Sequence, residues 1–284
     1  MRFFGRSPEP APAVTTQPAQ APTLRTANVG AAYRSQRVGG DFYDFVAAGD
    51  GRLLLAIFDI AGRKDNSKDT ARELDARAAT VQQVLRSRGP ALVEESGNLN
   101  DALTGLALEL NRAILGSARG VHNTPAFLAG FDEEFGMMSY VNAGHTPALM
   151  SDEDGVTALE AGGVPLGLFS HVVHEARTVV VRPGAVVLAV SKGVVEAKAE
   201  RDQEFGLDRV RQFLAQRKFN SAQDLCREVL HQVEQFMAAP SFWGPKLAFS
   251  GFHDHEAGGE TANDMTAVAL MRPAVGATVS ARAS

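Results

Sequence analysis

The 284-residue sequence contains one cysteine and no long apolar run. A single cysteine, Cys226, cannot form a disulfide within the chain, which excludes a disulfide framework and favours a reducing compartment. The most apolar stretches, such as residues 185–190, are far shorter than the ~20 residues that a membrane-spanning helix requires. The N-terminal Met-Arg-Phe-Phe leads into no apolar signal segment. These absences predict a cytoplasmic protein that does not bind a membrane.

An excess of positive charge is also absent. The sequence has 28 Lys and Arg against 33 Asp and Glu, which gives a formal net charge of -5. Because no overall positive field exists to attract a phosphate backbone, nucleic acid is excluded as the expected partner. The hydrophobic fraction of 45% and the charged fraction of 21% are typical of a globular domain.

Large apolar residues are scarce at both ends of the chain. Residues 1–27 are dominated by Pro, Ala, Thr and Gln, which cannot bury enough surface to fold, so a disordered tail is predicted there. Residues 273–284 are rich in Ala, Gly and Ser and predict a second flexible tail. One folded domain is therefore expected over residues 28–272.

The first half of this domain shows a hairpin followed by two helices. Residues 38–46 and 52–60 read as strands, and the Asp-Gly pair between them supplies the conformations of a tight turn. Residues 67–88 favour a helix that Gly89-Pro90 is expected to end. A second helix is indicated by an apolar stripe at three- and four-residue spacing, formed by Ala102, Leu103, Leu106, Leu110 and Ile114.

The second half shows short strand-like runs with turn residues between them. The predicted strands are residues 126–132, 137–142, 148–150, 172–181 and 185–190, followed by helices at 205–213 and 222–236 and a last strand at 265–271. Because strands and helices are segregated rather than alternating singly, the predicted fold class is α+β, with helices covering antiparallel sheets.

Three acidic clusters fall where predicted strands begin or end. They contain Asp41 and Asp44, then Asp59, then Asp264. Carboxylates at strand ends can converge in space, and such hard oxygen ligands prefer Mg²⁺ or Mn²⁺ to metals that favour sulfur. Taken singly, each of these residues is equally compatible with an ordinary turn or helix cap.

Seven short motifs lie in a definite order between residues 38 and 270. They are Val-Gly-Gly-Asp-Phe-Tyr-Asp at 38–44, Asp-Ile-Ala-Gly at 59–62, Tyr-Val-Asn-Ala-Gly-His-Thr-Pro at 140–147, Pro-Leu-Gly-Leu at 165–168, Val-Val-Glu-Ala at 194–197, Phe-Gly at 205–206 and Asn-Asp-Met-Thr at 263–266. In this order the sequence resembles the stage II sporulation protein E type phosphatases, a bacterial branch of the PPM (type 2C-like) metal-dependent protein phosphatases. The resemblance implies an αββα sandwich of two antiparallel sheets flanked by helices, with an acidic site at one edge.

The resemblance also implies a chemistry and its residues. In such enzymes two Mg²⁺ or Mn²⁺ ions lower the pKa of a bridging water, which then attacks phosphorus. Asp41 and Asp59 match two acidic ligand positions of the family and are the implied catalytic residues, and the backbone carbonyl of Ile60 matches a third ligand. Asp264 serves as a further ligand only if the strand end shifts its register.

Two positions depart from the family pattern. Lys192 stands where the family has the Asp of Thr-Asp-Gly, and Asn263 stands where the last motif begins with Asp. Two carboxylates, a lysine and an amide carry a charge of about -1 in place of -4, and each unit charge ~4 Å from a cation is worth about 4 kcal/mol at an effective dielectric near 20. The predicted metal site is therefore degenerate and binds Mg²⁺ or Mn²⁺ weakly or as a single ion. We expect the Lys192 ammonium to replace one ion and to pair with Asp59.

Four residues of the motifs are expected to support the site. They are Asp44, Gly62, His145 and Gly193. For His145 the resemblance implies a structural role in fixing a turn, whereas its ring chemistry leaves proton transfer open as an alternative.

Three functions remain compatible with the sequence. The first is a pseudophosphatase-like domain that recognises a phosphorylated regulatory protein, with the family implying a partner of anti-anti-sigma type. The second is an active Mg²⁺- or Mn²⁺-dependent phosphoserine/phosphothreonine phosphatase, and the third is an interaction module without catalysis. The sequence predicts no oligomeric state.

Overall fold

The structure, a computed structural model, describes residues 21–35, 40–60, 68–117, 123–199, 203–216, 218–238 and 263–274, with the backbone alone for 68–72. Its elements in chain order are β1 (Asn28–Arg34), β2 (Asp41–Ala47), β3 (Arg52–Asp59), α1 (Lys68–Ser96), α2 (Leu99–Ser117), β4 (Ala126–Asp132), β5 (Met137–Ala143), β6 (Ala148–Asp152), β7 (Gly155–Leu159), β8 (Arg177–Val180), β9 (Val186–Val190), α3 (Lys192–Val195), α4 (Leu207–Gln216), α5 (Ala222–Ala238) and β10 (Met265–Met271). Gly62 lies outside the described residues.

The strands form two five-stranded sheets. Sheet I has the order β1-β10-β9-β6-β7 and sheet II the order β2-β3-β4-β5-β8. Every neighbouring pair within them is antiparallel. Helices α1 and α2 cover the outer face of sheet II, and α4 and α5 cover the outer face of sheet I. The predicted α+β class and αββα sandwich are confirmed.

The central strands are apolar on both faces because each face is covered. In β3, Leu53 and Ile57 point into the core between the sheets, while Leu54 and Phe58 point outward beneath α1 and α2. The side chains alternate between faces with a period of two, so a strand that is buried on both sides reads as a continuous apolar run. This packing fixes the register of β3 and therefore the position of Asp59, its last residue.

The prediction that the first helix ends at Gly89-Pro90 is wrong. Helix α1 runs on to Ser96 with Pro90 inside it. A proline within a helix costs about 3 kcal/mol, but the packing around this one compensates. Gly89 lets the helix approach β3 so closely that a Cβ at this position would lie 2.7 Å from the Cδ1 atom of Leu54. Beyond the proline, Val93 is buried in the core that α1 and α2 share.

Other boundaries also differ from the prediction. Strands β1 and β7 were not predicted; both are edge strands of sheet I. The predicted strand at 172–181 shortens to β8. The helix predicted from residue 205 begins at Leu207, because Gly206 adopts a positive φ of 77°. Leu24 and Ala27 are buried, so packing begins before residue 28.

Across the described ranges, the helices are all too short or too polar to span a membrane.

Candidate functional site

Asp41 and Asp59 face each other at one end of sheet II. Asp41 begins β2, Asp59 ends β3, and the antiparallel register pairs them directly. From the opposite sheet, the Thr266 hydroxyl donates a hydrogen bond of 2.7 Å to Oδ2 of Asp41. The structure therefore brings the two predicted aspartates together, at the seam between the sheets. We call this end of the sandwich the acidic end.

Sheet I contributes a tightly packed turn to the seam. Ser191, which follows β9, donates its backbone N–H to the Thr266 carbonyl at 2.9 Å, and its Oγ accepts the Thr266 N–H at 3.0 Å. Gly193 lies so close to the chain before β10 that a Cβ there would collide with the carbonyl oxygen of Asp264. The predicted supporting position of Gly193 thus has a packing reason.

Asp264 accepts hydrogen bonds from groups at the end of β1 and at the start of β2. Its Oδ2 accepts hydrogen bonds from the Gly40 N–H at 2.7 Å and the Tyr33 hydroxyl at 2.9 Å, and its Oδ1 accepts one from Ser35 Oγ at 3.5 Å. The register of β1 against β10 is continuous up to Met265, the residue after Asp264. Asp264 therefore fastens the start of β2 to sheet I, while Asn263 beside it is exposed.

Lys192 pairs with a residue that the sequence reasoning missed. Its Nζ lies 3.0 Å from Oε1 of Glu196, one helical turn later. Among the ion pairs of the described residues, none joins Lys192 to Asp59, so the expected contact is not formed. Lys192 nevertheless lowers the pKa of Asp59, and Glu196 raises it, which places both charges near that carboxylate. The four-residue spacing of Lys192 and Glu196 was the signal available in the sequence.

Burial and like charge make this end unfavourable for ionised carboxylates. Desolvation raises the pKa of Asp41 well above its usual range, and Asp59 and Asp264 raise it further, against hydrogen bonds from Ser191 and Thr266. Desolvation is also the main reason that the pKa of Asp59 is raised. The four carboxylates of Asp41, Asp59, Asp264 and Glu196 and the ammonium of Lys192 carry a formal charge of -3 (4 negative, 1 positive).

The described residues at the acidic end offer few oxygen donors for a divalent ion. Within the described parts of the chain, no three His, Cys, Asp or Glu side chains come together in a way that could hold a metal ion. Asp41, Asp59 and the carbonyl of Ile60 remain as the candidate oxygen donors. That carbonyl oxygen would lie 3.0 Å from a Cβ on Gly40, so the chain is tightly packed around it.

Asp44 serves the packing of a helix. Fully buried, it accepts hydrogen bonds from Arg86 Nε at 2.7 Å and Nη2 at 3.1 Å, and from the Phe45 N–H at 2.9 Å. These bonds tie α1 to β2. Asp44 therefore supports the site by anchoring the strand that begins with Asp41.

His145 is buried at a turn after β5, two strands away from β3 in sheet II. Its backbone N–H donates a hydrogen bond to Asn142 Oδ1 at 2.9 Å, and its ring Nδ1 lies 2.9 Å from the Thr146 carbonyl oxygen. Burial lowers the pKa of His145 to about 4. These contacts favour the structural role over proton transfer.

Comparison with solved structures finds this fold in several bacterial proteins. The phosphatase domain of SpoIIE from Bacillus subtilis aligns with a TM-score of 0.61 and 18% identity, over 87% of this chain and 62% of that one. The RsbU and RsbW domains of a Mycobacterium tuberculosis protein give 0.64 and 19%, over 90% and 63%. RsbX in complex with magnesium gives 0.55 and 13%, over 89% and 98%.

The αββα sandwich thus has the fold of PPM-type phosphatase domains. The chain belongs to the stage II sporulation protein E (SpoIIE) family, whose model matches residues 49–242. Protein IcfG of Synechocystis is 22% identical over 211 residues, which are 69% of this chain and 33% of that protein. The chain therefore spans about a third of the length of this relative. The family is one of bacterial signalling phosphatases that use Mg²⁺ or Mn²⁺.

Proposed function

We propose that this domain recognises a phosphorylated regulatory protein and hydrolyses its phosphoester slowly or not at all. The observation that supports this most directly is the ion pair between Lys192 and Glu196, which stands where the family has a metal-binding aspartate. An ammonium at that position repels a divalent ion instead of binding it. Asn263, exposed beside it, supplies no compensating carboxylate.

We propose further that at most one divalent ion binds, weakly, to Asp41, Asp59 and the Ile60 carbonyl. Hard oxygen donors of this kind suit Mg²⁺ or Mn²⁺. RsbX, which shares the fold, was crystallised with magnesium. Because the acidic end is formally negative, a phosphate group is expected to enter only when such an ion is present.

The partner that this proposal favours is a signalling protein of anti-anti-sigma type. Its support is the structural similarity to the RsbU and RsbW domains and to RsbX. A phosphoserine or phosphothreonine on the partner is the group that the acidic end would recognise.

A second candidate function is an active phosphoserine/phosphothreonine phosphatase. The directly paired Asp41 and Asp59 favour it, because this is the arrangement of carboxylates that the family needs. In this alternative the single bound ion would support turnover without the missing ligands.

One comparison separates these functions. Hydrolysis of an aryl phosphate and of a phosphoserine protein is measured in Mn²⁺ and in EDTA, beside the binding of phosphorylated and unphosphorylated partner peptides. We expect phosphate-dependent binding in Mn²⁺ with little or no turnover. Metal-dependent turnover would instead establish the active enzyme, and equal binding of both peptides would leave an interaction module.

A further inference from the structure

The loop between β7 and β8, which contains the Pro-Leu-Gly-Leu motif, lies at the acidic end. The backbone N–H of Asp59 donates a hydrogen bond of 2.9 Å to the Pro125 carbonyl. Thr124, the residue before Pro125, forms two backbone hydrogen bonds with Leu166, at 2.9 and 3.0 Å. Since neighbouring strands lie about 4.8 Å apart, the backbone of Leu166 lies roughly 10 Å from that of Asp59. We call residues 163–174 the motif loop.

Buried polar side chains hold the motif loop in place. Asn111 of α2, which is 1% exposed, accepts the Gly167 N–H at 2.7 Å and donates a hydrogen bond of 3.0 Å to the Phe169 carbonyl. His174 is also buried, and its Nε2 lies 2.7 Å from the Val164 carbonyl oxygen, so the two ends of the loop are joined. The loop therefore presents its outward side chains from a fixed backbone.

Three large apolar side chains on the motif loop are exposed. Val164 is 36% exposed, Phe169 55% and Val173 70%. Because the contact between His174 and Val164 closes the loop, these side chains share one stretch of surface. The other exposed large apolar side chains of the described residues lie at the opposite end of sheet II. Contiguous exposed apolar surface is typical of an interaction site.

An arginine without an ionic partner borders this surface. The Arg177 guanidinium lies 3.7 Å from the position that a Cβ on Gly162 would occupy, next to the start of the motif loop. Arg177 is exposed, and no ion pair among the described residues involves it. An unpaired guanidinium beside apolar surface favours a partner that carries a carboxylate at the matching place.

We propose that the motif loop is the docking surface for a phosphorylated regulatory protein whose phosphoserine or phosphothreonine reaches the acidic end. This inference rests on the function proposed for that end. The partner places an apolar patch on Phe169 and Val173 and a carboxylate beside Arg177. A folded protein spans both places, whereas a short peptide around the phosphorylated residue covers the acidic end alone. The second contact therefore adds affinity for the whole protein without changing affinity for the peptide.

The test uses the full chain and two ligands of different size. One is a protein of anti-anti-sigma type, phosphorylated on serine or unphosphorylated, and the other is a short phosphoserine peptide with the sequence of its phosphorylation site. Affinities are measured by isothermal titration in Mn²⁺. In F169A/V173A the affinity for both forms of the protein is expected to fall at least about tenfold, because large side chains at the centre of a contact carry most of its energy. The affinity for the phosphopeptide is expected to stay unchanged.

Matched variants control for unrelated effects. F135A/V180A removes the same two side-chain types from exposed positions at the opposite end and is expected to leave both affinities as they were. R177E is expected to weaken binding of the protein about fivefold at low salt. R227E makes the same charge change at an exposed position on α5 and is expected to have no effect. All four variants alter exposed side chains, so their melting temperatures should equal that of the parent.

The outcomes separate docking from the function of the acidic end. Equal binding of the phosphorylated and unphosphorylated protein, together with a loss in F169A/V173A, would support the docking surface and reject phosphate recognition. A loss in F169A/V173A no larger than that in F135A/V180A would overturn the docking proposal. Failure of the parent to bind either form of the protein would also overturn it. So would a lower molar mass of F169A/V173A in sedimentation, because the loop would then join two copies of this chain.

Discussion

Restoring the two missing carboxylates tests the central claim about the acidic end. In the double variant K192D/N263D, the ammonium beside Asp59 is replaced by a carboxylate, and a second carboxylate is added next to Asp264. The charge changes by three units, two from Lys192 and one from Asn263. We expect both Mn²⁺ affinity and phosphatase rate to rise.

The size of the expected rise in Mn²⁺ affinity follows from the exposure of the Lys192 side chain. The Lys192 side chain is 60% exposed, so its charge is screened nearly as in water. One unit charge at ~4 Å is then worth about 1 kcal/mol, and three units about 3 kcal/mol, or about a hundredfold in affinity. The double charge of the ion and partial burial of the aspartates make this a lower bound.

Isothermal titration with Mn²⁺ measures the affinity directly, beside hydrolysis of an aryl phosphate. The variant K192M is the matched control, because it removes the cation without adding a ligand and should gain only about fivefold. If K192D/N263D binds Mn²⁺ no more tightly than the parent, the electrostatic account of the site is refuted. If affinity rises without any turnover, the charge argument holds and another element of catalysis is missing.

Three further predictions concern stability. The variant D41N should raise the free energy of unfolding at pH 7 in urea, because burial and the neighbouring carboxylates raise the pKa of Asp41 and make its ionised form unfavourable in the folded state. The gain should shrink as the pH falls and Asp41 becomes protonated in both states. The variant R86M leaves the buried Asp44 without its cation and should cost about 3 kcal/mol, whereas R182M, at an exposed pair, should cost less than about 1 kcal/mol. Because the folded pKa of His145 is lowered to about 4, stability should fall by about 2 kcal/mol from pH 7 to pH 5 relative to H145Q; equal pH slopes in the two proteins would contradict this.

Much of the fold was readable from the sequence because its signals are local. The apolar stripe of α2 and the Asp-Gly turn between β2 and β3 predict their elements without reference to the rest of the chain. The end of α1 was misread for the opposite reason. A proline is a local stop signal, but the contacts of Gly89 with Leu54 and the burial of Val93 come from distant parts of the chain and outweigh it.

In the candidate site, too, local sequence signals predict some features and distant contacts decide the others. Its aspartates sit at strand ends, so the pairing of Asp41 and Asp59 followed from the hairpin and the motifs. The partner of Lys192 did not follow, because the family motif marks Lys192 as a ligand position and carries no information about Glu196 one helical turn away. The role of Asp264 depends on Tyr33 and Gly40, which are more than 200 residues away in sequence, and no local pattern reveals such contacts.

The seam between the sheets is held by hydrogen bonds, and this leads to a last prediction about metal removal. Thr266 donates a hydrogen bond to Asp41, and Gly40 donates one to Asp264, so these two bonds join sheet II to sheet I at the acidic end. EDTA should therefore change the melting temperature of the parent protein by less than about 2 °C, since a weakly bound ion adds little stability. In K192D/N263D, Mn²⁺ at a hundred times its dissociation constant should add about 2.7 kcal/mol, or roughly 5–10 °C. A large loss of stability in the parent on adding EDTA would show that an ion, not these hydrogen bonds, holds the acidic end together.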